Sequence, residues 1–110
     1  MRGRADFRIL LGNFLDIFVQ LSRKEKLLSI QEEPTLRDKH KLAYLAACVE
    51  ELCRMFNLKK PSWVNKKKYF LHGPVFYSRF ENVKALLIQE SPAAFRRRNL
   101  FVSRNALIRA

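Results

Sequence analysis

A chain of 110 residues has the size of one domain and can bury a core without help from disulfides or metals. With 48% hydrophobic residues and nine phenylalanines it is no disordered tail, and three glycines with four prolines are too few for a turn-rich all-β protein. The formal charge of +12 points to a polyanionic partner, whether nucleic acid, an acidic protein surface or anionic lipid. The plain alternative is a basic protein with no such partner.

In chain order, Asn13, Asp16 and Gln20 recur at helical spacing within ILLGNFLDIFVQL and leave a broad apolar face from Ile9 to Leu21. This predicts a first helix over residues 5–22, buried on more than half its circumference. Asp16 and the lack of a small-residue cleavage site argue against a signal peptide, and the stretch is too short and polar to span a bilayer. Residues 23–33 are expected to be helical in part and to yield at Pro34. Thr35 and Asp38 have the spacing of a capping box. They predict a helix over 36–57 with Leu42, Leu45, Val49, Leu52 and Phe56 inward, and an i,i+4 pair of Glu50 with Arg54 on its outer face. Cys48 and Cys53 lie too far apart around this helix to bridge, and are expected to be buried thiols in a reducing cytosol.

Residues 58–77 are irregular, yet Trp63, Tyr69, Phe70, Phe76 and Tyr77 make them too apolar for a solvated linker; the rings are expected to pin the loop to the core. Ser78 and Glu81 form a second capping-box pattern, opening a helix that ends near Glu90. Ser91 as N-cap with Pro92 at the first helical position predicts another helix at once. An apolar LFV run and a final turn in NALIRA close the chain. The fold class is therefore all-α: a compact single-domain bundle over 1–110, of four to five helices, with no sheet and a long aromatic-pinned loop.

Little in this chain recommends catalysis. His40 and His72 have no acid or cysteine at metal-ligand spacing, so no metal is expected; the first reads as a helix-surface residue and the second as a turn residue. Glu32–Glu33 and Glu50–Glu51 are helix neighbours about 100° apart and do not make a two-carboxylate site. No phosphate loop, nucleophile elbow or Cys-x-x-Cys occurs, and no cofactor is expected.

The basic residues carry the functional reading. Residues 1–55 hold 10 Lys/Arg against 8 Asp/Glu, and residues 56–110 hold 12 against 2. Lys59, Lys60, Lys66, Lys67 and Lys68 interleave with Trp63, Tyr69 and Phe70, a composition that single-strand binders use for phosphate tracking and base stacking. Against that, a loop this long needs its rings as anchors, which leaves the lysines as the patch. With Phe95 facing the core, Arg96, Arg97 and Arg98 lie at about 100°, 200° and 300° around a helix. Arg97 is then free for a partner, joined by Arg104. Arg96 and Arg98 become structural arginines that meet Asp38, Glu50, Glu51 or helix-end carbonyls.

The strings LAYLAACVEELCRMFNLKKPSWV, YFLHGPVFYS and ESPAAFRRRNLFVSRNALIRA resemble a group of small uncharacterised bacterial proteins. The shared pattern covers about the C-terminal two thirds, with Trp63, Pro74, Pro92, Phe95, Arg96, Arg97, Arg98, Asn99 and Asn105. It departs from that pattern at the three lysines 66–68. The resemblance implies neighbours of nucleotidyltransferase-like or DNA-binding type, in the manner of toxin–antitoxin pairs. The expectation is a non-enzymatic cytoplasmic interaction module whose basic C-terminal half binds a partner protein. Direct nucleic-acid binding is the alternative and an unrecognised enzyme the third reading; no membrane partner is expected.

Overall fold

The computed structural model describes residues 4–35, 37–77 and 81–103. Its centre is α3, Lys39–Met55, whose inward face is built largely from small residues. Ala43, Ala46, Ala47 and Cys48 are fully buried there, and such short side chains let other segments approach the helix closely. Two 3₁₀ turns, Ser62–Asn65 and Lys67–Tyr69, and the one-turn helix α5, Ala93–Arg96, pack against it.

The ends of α3 show local chemistry at work. Asp38 is the N-cap, accepting hydrogen bonds from the amides of His40 (2.9 Å) and Lys41 (3.1 Å). The helix therefore starts at Lys39 rather than 36, and the expected box opened by Thr35 does not form. A carboxylate directly at the cap satisfies two orphan amides itself. The Lys41 amide, ahead of the cost of burial, holds the Asp38 carboxyl below its ordinary range. Replacing Asp38 with Ala should cost about 1 kcal/mol, whereas Thr35→Ala should change stability little. The Asp38 contribution should fade as pH falls through its depressed pKa, which urea titrations at several pH values would show. At the other end Asn57 takes the left-handed conformation (φ 54°), and the Leu58 amide reaches back to the Cys53 carbonyl at 2.8 Å. This is a Schellman stop, with Leu58 buried beneath it.

Helix α1, Arg4–Phe18, stops earlier than predicted. Leu15 and Phe18 reach the core, but Ile9, Leu10, Ile17 and Val19 are exposed, so the expected burial of most of its circumference is not found. The chain turns into α2, Arg23–Ser29, through a full capping box between Ser22 and Glu25. Arg23 donates to the carbonyls of Phe56 (3.3 Å) and Asn57 (2.7 Å), tying α2 to the end of α3. Lys26 donates to the Leu21 carbonyl at 2.6 Å and sits over the Phe56 ring.

The second half is mostly helical but not free of sheet. Strands β1, Val75–Phe76, and β2, Leu100–Phe101, pair in parallel, with Val75 opposite Leu100 and Phe76 opposite Phe101. Between them run α4, Glu81–Glu90, and α5. The expectation of no sheet is thus corrected. The pairing depends on Asn99, which turns the chain at φ 63° and donates from its side chain to the Leu71 carbonyl at 2.6 Å. The Phe76 and Phe101 rings stack at 4.9 Å. Ser91 is not the N-cap of α5 either. It is buried, donating to the Leu87 carbonyl (2.5 Å) and accepting from the Val102 amide (2.9 Å), so it fastens the end of α4 to the chain after β2. The Ser78 capping pattern and the NALIRA turn lie outside the described residues.

The aromatic loop does face inward. Trp63 and Tyr69 are buried, meet edge to face at 5.8 Å, and join one hydrophobic cluster running from Leu15 to Val102. The Trp63 indole N–H donates to the Ile30 carbonyl at 3.0 Å. Phe70 and Phe76 are half-buried, while Tyr77 is exposed against Tyr44. Among the described residues no helix is long and apolar enough to cross a membrane.

Candidate interaction surface

Two carboxylates organise the basic residues. The first is Glu50, on the side of α3 that meets α5. Arg98 Nη1 lies 2.8 Å from it, Arg97 Nη1 2.7 Å and Lys60 Nζ 3.8 Å. The predicted pair of Glu50 with Arg54 is therefore not made. Arg54 binds Glu51 instead, at 2.6 Å, because Glu50 is turned inward by the arginines. Arg98 has no solvent exposure. It also donates to the carbonyls of Ala94 (2.6 Å) and Val64 (2.7 Å) and lies over the Phe70 ring at 4.7 Å. Burial lowers the Arg98 pKa, and the Glu50 carboxylate offsets that. Arg98 therefore lies inside the molecule, paired with Glu50 and bonded to two carbonyls.

Its neighbours divide differently from expectation. Arg96 is exposed and makes no ion pair among the described residues, so it is not part of a clamp. Arg96 is the last residue of the one-turn helix α5, and the flank of Phe95 on which it lies faces solvent rather than α3. Arg97, expected to be free, is about half exposed yet paired with Glu50 and placed over Phe70 at 5.4 Å.

The second organiser is Glu33, just before Pro34. Lys66 Nζ lies 2.6 Å from one oxygen, Lys68 Nζ 3.2 Å from the other, and the Tyr69 hydroxyl donates to that second oxygen. The Lys66 bond first, then the Tyr69 bond, depress the Glu33 pKa to about 2. Burial and the same carboxylate raise that of the Tyr69 phenol. A depressed carboxyl stabilises the fold above its ordinary pKa of 4.5 and stops doing so as pH falls toward 2. Acid titration of the parent against Glu33→Gln should show the two stability curves a constant distance apart above pH 4.5 and converging as pH falls from there toward 2. In the sequence Glu33 stands only as half of an acidic pair with Glu32; its partners lie more than thirty residues away. No local signal marks that contact.

Lys59 and Lys67 are exposed and unpaired among the described residues. Arg104 lies outside them. His40 is on the surface 3.9 Å from Asp38, and His72 is exposed in its turn. Among the described residues no group of three His, Cys, Asp or Glu could hold a metal ion. Cys48 and Cys53 are unbridged and buried, and burial raises both thiol pKa values, leaving them poor nucleophiles.

One apolar groove of about 310 Å³ runs between α1 and the α2–α3 connection, with Leu10, Phe14, Pro34 and Trp63 among its walls. Its polar lining is Ser29 and Glu32. A cavity of about 360 Å³ is lined by Glu50, Glu51, Arg54 and Lys60 together with Cys53, Leu58 and Ala94, and its carboxylates are engaged in the ion pairs above. No family model, curated protein or solved structure matches the chain.

Proposed function

We propose that this chain is a non-enzymatic interaction module that binds an acidic partner protein through the cationic surface of residues 59–68 and 96–97. As one member of a regulatory or toxin–antitoxin-like pair it would act by contact rather than by chemistry. The single observation carrying this reading is the distribution of charge on an ordered frame. Glu33 and Glu50 already hold Lys66, Lys68, Lys60, Arg97 and Arg98, yet Lys59, Lys67 and Arg96 remain at the surface with no acid opposite them among the described residues. Such an excess steers an acidic surface toward the chain and sets its orientation.

Direct nucleic-acid binding is the second reading, favoured by the lysine run itself. The rings that would stack bases are spent on the core, however: Trp63 and Tyr69 are buried. Binding would then rest on phosphate contacts alone, with a steep loss of affinity in salt. The test is capture of partners by the full chain, repeated with Lys67→Glu and Arg96→Glu. Loss of a captured protein in both variants, with nuclease treatment harmless, supports the protein reading. Retention in both variants would overturn it.

A further inference from the structure

We infer that Lys66, Lys68 and Tyr69 form a binding site for one carboxylate of the partner, and that Glu33 occupies this site as an internal stand-in. The inference rests on the acidic-partner reading above. Three donors from one 3₁₀ turn and its lead-in converge on a single carboxylate, two charged and one phenolic. That is the donor set a carboxylate needs: charge-assisted bonds to both oxygens from a fixed frame. The frame is fixed because Tyr69 is fully buried and its ring packs on Trp63.

The contrast with Glu50 decides which carboxylate can be exchanged. Glu50 is held by Arg98, which is sealed in the interior and bonded to two carbonyls. No incoming group can reach that cation. Around Glu33 both lysines are more than half exposed, at 51% and 61%, and Glu33 itself is a quarter exposed. Glu33 also sits in the connection between α2 and α3, outside any helix, so leaving the site breaks no helical hydrogen bond. An acidic side chain of a partner can therefore meet the two lysines first and reach the Tyr69 hydroxyl, buried beneath Glu33, once Glu33 has left. The connection carries its own reporter. The indole of Trp63, the chain's one tryptophan, donates to the Ile30 carbonyl three residues before Glu33.

The experiment titrates a dye-labelled oligoglutamate peptide into the full chain at low salt, following peptide anisotropy and Trp63 emission together. Glu33→Gln keeps the side-chain shape and vacates the charge. Glu32→Gln, one residue away and making no contact with the lysines, changes net charge by the same amount. Glu33→Gln should tighten peptide binding about three- to tenfold beyond Glu32→Gln, the range expected for releasing an exposed ion-pair network. Adding Lys66→Ala and Lys68→Ala to Glu33→Gln should remove that gain. In the parent chain, peptide binding should shift Trp63 emission as the connection moves. Equal tightening by the two glutamine variants, with Trp63 unchanged on binding, would overturn the inference. No peptide binding by any variant would instead refute the acidic-partner reading on which it stands. Binding of a single-stranded oligonucleotide in place of the peptide, with the same dependence on Lys66, would also count against it.

Discussion

Arg98→Ala should destabilise the chain by about 3–5 kcal/mol, the range for removing one member of a buried ion pair. The substitution takes away the cation facing Glu50, the donors to the Ala94 and Val64 carbonyls, and the plane lying on Phe70. It also leaves a cavity in a site with no solvent access. For a domain of this size the melting temperature should fall on the order of 15 °C or more. Arg98→Lys should recover little of this. A single ammonium point charge cannot span a carboxylate and two carbonyls that the guanidinium fork bridges together. The two neighbouring arginines provide the comparison. Arg96→Ala should stay within about 0.5 kcal/mol of the parent, as exposed substitutions do. Arg97→Ala should cost up to about 1 kcal/mol, since its pair with Glu50 is half exposed to solvent. Thermal melts of the three variants would read this order directly. A near-parental melt for Arg98→Ala would mean that the Glu50 cluster does not hold α5 to α3.

Trp63→Ala should cost a comparable amount, about 3–5 kcal/mol, through lost burial and the cavity left behind. The indole packs in the central cluster, meets Tyr69 edge to face, and ties the 3₁₀ turns to the α2–α3 connection through the Ile30 carbonyl. Trp63→Phe separates the contributions. It keeps most of the apolar surface and removes the donor, so about 1–2 kcal/mol should be lost as the Ile30 carbonyl goes unpaired. Urea unfolding followed by circular dichroism would show lower midpoints with an unchanged slope if the two-state fold is retained. Should Trp63→Ala prove neutral, the loop would not be anchored by its rings, and bases could then compete for them.

The organisation of the basic residues was only partly legible in the sequence. The buried role of Arg98 and its partner Glu50 were within reach, because a three-arginine run beside a buried phenylalanine must place at least one guanidinium near the core. Arg96 flanks Phe95 as the spacing predicts, but whether that flank meets a carboxylate is set by how α5 sits on α3, which no spacing records. Glu33 was missed because its donors come from a loop far along the chain. The small parallel pairing of β1 with β2 escaped for the same reason, as two-residue strands leave no alternating pattern to find.

Local signals in the sequence by itself determined the helical character, the long helix that became α3, the inward aromatic loop and the excess of positive charge. The 3.6-residue spacing and the ring content act within a few residues and need no tertiary partner to be read. The Ser22–Glu25 capping box was equally local and could have been read with them. What only the tertiary structure decided is which cations are neutralised and which stay available. Ion pairing depends on side chains converging within about 4 Å from distant segments, and that is set by how α5 and the 3₁₀ turns settle on the small residues of α3. The exposure of one side of α1 has the same origin: an apolar face is legible in a sequence, but the area available to cover it is a property of the packed whole.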